Sequence, residues 1–519
     1  MFQKLISDLA KITGQAGTLN KIAISHFTQS ASPRPHAYSL WCHTPSLSQP
    51  GDDASSVGEV VDYTAWPSLV NRCYSGRHLP PASAAEMNAL PDLNDVLALY
   101  MRQEKMRKSR SSALFCFFAQ WFTDSILRTD PLDRRKNTSN HEIDLCQIYG
   151  LTEETARILR SGKQGKLRCQ LINGEVFPDY LYEPGADGKP EVKNIYKNLP
   201  YLKSLALFMT GVPVERQLKT YATGLERGNS SIGYVAISTL FLREHNRICD
   251  QLAATTQWDD ERLFQTARMI NIVLLMKVVI EDYINHIAGA PLFSLDPGLG
   301  FKEDWYRTNW IALEFNLLYR WHSLVPDYIN AGDMEVVDVE NDARNNNGLL
   351  EQWGLARALH TLSIVPAGKI GLHNVPAFLK NAEMAALRMA RGFRLKSYND
   401  YRVAFSMKRL KDFEELTRDP QLQKELRRLY ATVDQVEFLP GLFAEDADQN
   451  ALFGDLLNTM VGYDAFTQIY TNPLLAPEIY DEQTFTAYGF ELFEQTSTVL
   501  DIAKRNVRGV RRAQFSFAN

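Results

Sequence analysis

From Leu93 onward the chain repeats one pattern: apolar residues fall at three- and four-residue spacing with polar residues between them, which predicts helices. The run DLNDVLALYMR is the first such stretch, and SALFCFFAQWFTDSIL the second. The same texture returns at Ser231 to Leu252, Glu261 to Ala288, Thr308 to Leu324, Gly348 to Leu362 and Ala377 to Arg391. It appears again at Pro420 to Val433 and Phe493 to Asn506. Ahead of Leu93 the pattern differs. The opening MFQKLISDLAKITGQAG reads as a short amphipathic helix, and residues 28 to 92 are rich in Ser, Pro, Gly and Asn. Between Asp130 and Pro200 Gly and Pro break the chain, and LRCQLINGEVFP reads as a hairpin turning at Asn173-Gly174. The predicted architecture is all-α, with an irregular N-terminal arm over residues 1–92 and one large catalytic domain over 93–519.

Composition changes this picture little. Of 519 residues, 45% are hydrophobic and 23% charged, with a net charge of −5. That balance, with no Lys/Arg stripe interleaved with aromatics, argues against a nucleic-acid partner. The most apolar stretch, Ile270 to Ile280, is interrupted by Asn271 and Lys277 and reads as a buried core helix rather than a membrane span. The N-terminus lacks the apolar run of a signal peptide. The six cysteines lie far apart with no C-x-x-C pair, which argues against a zinc site and suits reduced thiols in a cytoplasmic protein. Peripheral membrane contact and a homodimer stay open.

Phosphate loops, dinucleotide fingerprints, H-E-x-x-H and G-x-S-x-G are all missing. The segment WIALEFNLLYRWHSLVP, Trp310 to Pro326, is of another kind. Tyr319 and His322 lie three residues apart and share one face of the predicted helix, with Trp321 directed away. On their own, both are as well read as packed core residues.

A resemblance sharpens the reading. EFNLLYRWHSLVPD, Glu314 to Asp327, resembles the cyclooxygenase segment that carries the radical tyrosine and the proximal haem histidine. ALFCFFAQWFTDSILRT resembles the distal haem helix, and HEIDLCQIYG and GKLRCQLINGEVFP the loops that follow it. FLREHNRICDQL holds REHNR, a signature of animal haem peroxidases. VVIEDYINHIAG, PAGKIG, YNDYR and LPGLFAED continue the series in order, so the similarity spans roughly Val61 to Asn506. The resemblance implies haem b as cofactor, His322 as the iron ligand, and Asn316, Trp321 and Tyr283 around the group. Haem would lie between the Trp310–Leu324 and Ala113–Leu127 helices. Tyr319 would act as a radical that takes hydrogen from a bis-allylic carbon before O2 adds, with Tyr283 hydrogen-bonded to it.

The sequence departs from that family pattern at several positions. Gln120 is retained, but Asp124 stands where the peroxidases have the distal histidine. A carboxylate there serves as acid or base only if burial raises its pKa. Arg227, counted back from REHNR, falls at the place of a distal arginine, and Ser230 replaces a haem-linked glutamate, so no ester link is expected. Phe453 and Leu457 match apolar channel residues, Val461 replaces a glycine, and Ala465 the serine that aspirin acetylates. Ala290 replaces a carboxylate-holding tyrosine, and no arginine stands at the place expected to pair with that carboxylate; Arg34 lies upstream, outside the alignable part. These departures favour simple dioxygenation of an unsaturated fatty acid over prostaglandin synthesis. Two other readings stand beside it. One is a peroxidase using hydrogen peroxide on small reducing substrates, with Gln120, Asp124 and Arg227 serving the iron. The other is a non-catalytic haem-binding protein.

Overall fold

The computed structural model describes residues 16–29, 72–303, 305–306, 308–330, 336–448, 451–509 and 515–519. The helices that matter for the site are α1 (Ala16–Gln29), α2 (Ala113–Thr123), α3 (Ile232–Thr255) and α4 (Asp260–Val278). They are followed by α5 (Leu313–Leu318), α6 (Asn347–Ile364), α7 (Lys380–Gly392), α8 (Asp455–Tyr470) and α9 (Val499–Asn506). Strands among the described residues form two-stranded pairs only. The all-α expectation therefore holds, and helix-on-helix packing supplies the core.

Helix α3 is the central post. Ser231 caps its start, the hydroxyl accepting the Tyr234 N–H at 3.3 Å. Helices α2, α4, α6 and α9 all pack on it. The side of α3 facing α2 carries Gly233, where a Cβ would stand 2.3 Å from Phe117 Cγ. Only glycine lets the two backbones approach this closely. Helix α4 runs on through a π-helical turn, Val279–Ile284, into Asn285–Ala288. By length and apolarity this continuous helix could cross a membrane, yet 78% of its most apolar window is buried inside the fold, as a core helix requires.

The hairpin forms as read. Cys169–Ile172 pairs with Glu175–Pro178, and Asn173 and Gly174 both take positive φ, 51° and 79°, the geometry of a tight I′ turn. Two expectations need correction. The helix predicted from Thr308 to Leu324 is cut at both ends. Before Leu313 the backbone pairs with Gly76, which donates to the Ile311 carbonyl at 3.0 Å and accepts the Leu313 N–H at 2.8 Å. After Leu318 it leaves helical geometry at Tyr319 and Trp321, whose rings stack 4.5 Å apart, and closes with a 3-10 turn at His322–Leu324. Helix α8, conversely, shows little periodicity because it is buried on nearly every face, from Leu456 to Tyr470.

The N-terminal region is more integrated than an arm. The helix read at residues 1–17 lies almost wholly outside the described residues. Helix α1 packs on α8, with Ala23, Ile24 and Phe27 buried. Asn20 binds Ser294 both ways, each bond 3.0 Å. Arg77 and His78 are core residues. At the other end Phe517 is buried, and its carbonyl accepts the Ser112 N–H at 2.8 Å. Among the described residues, Cys116, Cys146, Cys169 and Cys249 form no disulfide.

Candidate active site

Helix α2 and the segment after α5 face each other across a cavity of about 370 Å³. Gln120 and Asp124, one turn apart at the end of α2, line one side. Asn316, Tyr319, Trp321 and His322 line the other. Arg227 and Ser230, from the loop before α3, close a flank. Of the eight residues predicted for catalysis or cofactor binding, seven meet here; Tyr283 stands behind the wall, not in it. Trp321 lines the cavity rather than turning away, because the chain is not helical where it sits.

His322 is tied by α7. Its Nδ1 lies 2.6 Å from Glu383 Oε2, so Nδ1 carries the hydrogen and Nε2 is left for another partner. Glu383 is buried in the first turn of its helix, where the positive end of the helix dipole favours an anion. No sequence motif announces this residue. Only the acidic position in an apolar helical face hints at it.

Tyr319 sits in an aromatic stack. Its ring lies on Trp321, which also meets Phe453 at 4.7 Å. Its hydroxyl is buried without a completed hydrogen bond, as is that of Tyr283. The two phenols nonetheless influence each other, and burial raises the pKa of both. Tyr283 stacks on Phe115 at 5.1 Å, within the π-helical turn. Such turns place a side chain off the regular helical register.

The opposite wall is polar. Gln120 Nε2 donates to Ser230 Oγ at 3.4 Å and Gln120 Oε1 accepts from Ser231 Oγ at 3.5 Å, both long bonds, so the amide stays available to the cavity. Burial raises the Asp124 pKa to about 6, against the pull of the Arg227 guanidinium. Arg227 itself is exposed at the mouth, its guanidinium 5.8 Å from the Phe208 ring. Arg320, donating to Asn316 Oδ1 at 2.6 Å, has its own pKa lowered to about 10, by burial first and by Arg227 next.

The four residues assigned to a substrate channel do not share one cavity. Phe453 and Leu457 border a space of about 70 Å³. Val461 borders another, of about 10 Å³, that Phe27 of α1 also lines. Ala465 lines neither, and all four are buried. Beside Ala465, the buried Asp464 meets His78 Nε2 at 3.1 Å, a hydrogen-bonding contact absent from the predicted site. Arg34 lies outside the described residues.

The residues present fit a haem. One imidazole nitrogen is held by a carboxylate and the other is left for a metal. Arg134, Arg227, Arg320 and Arg344 line the cavity, as suits the carboxylates of a porphyrin. The buried Nε of Arg320 and Nε1 of Trp321 have no hydrogen-bond partner among the described residues.

Comparison with known proteins agrees. The sequence profile described as animal haem peroxidase matches residues 133–514. Over 470 residues the chain is 33% identical to prostaglandin G/H synthase 2 of Equus caballus, covering 88% of this chain and 74% of that one. It is 34% identical over 453 residues to prostaglandin G/H synthase 1 of Rattus norvegicus, covering 84% and 71%. Among solved structures, the fatty acid alpha-dioxygenase of Oryza sativa superposes with a TM-score of 0.69 at 15% identity, over 98% of this chain and 94% of that one. Peroxidase A from Dictyostelium discoideum gives 0.65 at 18% identity, over 92% and 98%. At those identities the structural likeness concerns the fold. Fold and cleft together define a haem-binding oxidoreductase. Within that class, the chain belongs to the animal haem peroxidase family.

Proposed function

We propose that this protein uses haem to oxygenate an unsaturated fatty acid, with Tyr319 as the hydrogen-abstracting group. The observation that carries the reading is Tyr319 on the wall of the His322 cavity, its buried hydroxyl beside that of Tyr283. When bound, haem supplies peroxide cleavage and a one-electron oxidant. The chain's own residues do the rest. His322, steadied by Glu383, offers Nε2 as the ligand. Burial keeps the Tyr319 phenol neutral, so its oxidation releases the hydroxyl proton along with the electron. The neutral radical then takes a bis-allylic hydrogen atom from the substrate, and O2 adds to the carbon radical. The packing of Phe315 and Trp321 on Tyr319, with Phe453 behind Trp321, excludes water from that radical. Relatives named for prostaglandin synthesis and a fold neighbour named for fatty-acid dioxygenation support the substrate class.

The test is the Tyr319→Phe protein loaded with haem. O2 uptake with linoleate should fall at least 100-fold while the Soret band keeps its wild-type position and intensity. Uptake at the wild-type rate would sink the proposal. A second reading, a peroxidase acting on small donors, draws on a specific observation: the His322 cavity is open at Arg227, whereas Phe453 and Leu457 border one small space and Val461 another. Rapid turnover of a phenolic donor in the same variant, with no lipid oxygenation by wild type, would favour it.

A further inference from the structure

We infer that Glu383 is a positioning residue that sets the electronic character of His322, making it a strongly donating, imidazolate-like ligand for the iron. The inference rests on haem binding by His322 and holds whichever of the two reactions the chain performs.

Three observations carry it. The first is geometry: Nδ1 of His322 and Oε2 of Glu383 are 2.6 Å apart, at the short end for a nitrogen donor and in the range of charge-assisted bonds. The second is burial. The Glu383 side chain is 1% exposed, so water does not compete for the bond and the local dielectric is low. The third is the anchoring. Glu383 sits in the first turn of α7, a 13-residue helix, so the carboxylate has a fixed origin and a favourable dipole. Its other oxygen, Oε1, completes no hydrogen bond among the described residues, while Oε2 meets His322. Groups facing the pair include Arg320 and Tyr100, both of which feel the charge of Glu383.

The chemistry follows. A neutral imidazole that donates to a backbone carbonyl or an amide keeps its proton and donates moderately through the other nitrogen. A buried carboxylate draws the Nδ1 hydrogen toward itself and raises the electron density at Nε2. A ligand of that kind stabilises the ferric state, lowers the reduction potential and assists heterolytic cleavage of a bound peroxide. This bears on the opposite wall. With Asp124 in place of a distal histidine, part of the push for O–O cleavage would come from the His322 side.

The first measurement needs no variant. In the ferrous haem-loaded wild-type protein, the iron–histidine stretching band should fall at the frequency of a carboxylate-bonded imidazole model complex, above that of a neutral-imidazole model. The second compares Glu383→Gln, which keeps the shape and removes the charge. The band should move down, the midpoint potential should move up, and haem affinity should fall roughly 10- to 100-fold, the range for loss of such partners. In haem-free protein, ¹⁵N NMR should report the Nδ1–H form of His322 in wild type and a mixture in the variant. If Glu383→Gln misfolds, the wild-type band and the NMR tautomer decide alone. A wild-type band at the neutral-imidazole frequency, or a variant with unchanged band and potential, would overturn the inference. Loss of lipid oxygenation with both signatures intact would count against Tyr319 chemistry instead.

Discussion

At the scale of single residues, the site turns on Asp124. Its carboxyl lies one turn from Gln120 on the cavity wall, with a pKa raised to about 6 by burial. Above that pH it is ionised and able to take the first proton of a bound peroxide; below it, the carboxyl is already protonated. Peroxide cleavage by wild type should therefore rise as pH passes upward through about 6, and a stopped-flow pH series should show that step vanish in Asp124→Asn. Asp124→His should raise cleavage by an order of magnitude or more, since a well-placed acid–base group contributes roughly 10²- to 10⁴-fold. No gain would mean that Arg227 and the His322 side carry the reaction without a shuttle. The sequence alone pointed to Asp124 because its neighbours resemble a known helix. Glu383 was hinted at only by an acidic position on a helical face, because it meets His322 through the packing of α7, 61 positions away.

At the scale of elements, legibility tracked amphipathicity. Helices α3 and α4 each show a polar stripe and were readable within a few residues. The hairpin was readable because Asn-Gly tolerates positive φ at both turn positions. Helix α8 was not, since burial on all sides erases the stripe that periodicity detects. The Trp310–Leu324 segment misled for a different reason. Its apolar spacing is helical, but the pairing of Gly76 with Ile311 and the stacking of Tyr319 on Trp321 are long-range or side-chain effects that override local propensity. One element contact makes a direct prediction. Gly233→Ala would drive a methyl group into Phe117, itself a cavity-lining residue, and force α2 away from α3. Overpacking of this kind costs about 1–3 kcal/mol. Thermal unfolding should register a lower Tm, and haem titration a weaker affinity; an unchanged Tm would mean that α2 shifts freely.

Across the whole molecule, the two ends of the described chain are stitched into the middle. Residues 515–519 lie along the strand Lys108–Ser112, and Phe517 packs on Phe118, with ring centroids 4.9 Å apart, and on Tyr283 at 6.1 Å. Removing those residues would uncover the aromatic cluster that supports Tyr283. Burying one such side chain contributes about 1.5–3 kcal/mol, and the lost backbone bonds add to that. The truncated protein should melt at a lower temperature and leave Tyr283 open to a phenol-modifying reagent. Protection equal to wild type would show that the cluster closes without its last strand.

The seat of α1 on α8 also has a consequence for how the protein is made. Helix α1 is made long before its partner, with Ala23, Ile24 and Phe27 needing cover, and the helix that covers them begins at Asp455. At roughly 5–20 residues per second, the partner arrives on the order of tens of seconds later. During that interval the apolar face of α1 is a natural target for chaperones that hold nascent chains. Closure of this contact waits until Asp455–Tyr470 has been made, after His322 and Glu383 have already left the ribosome.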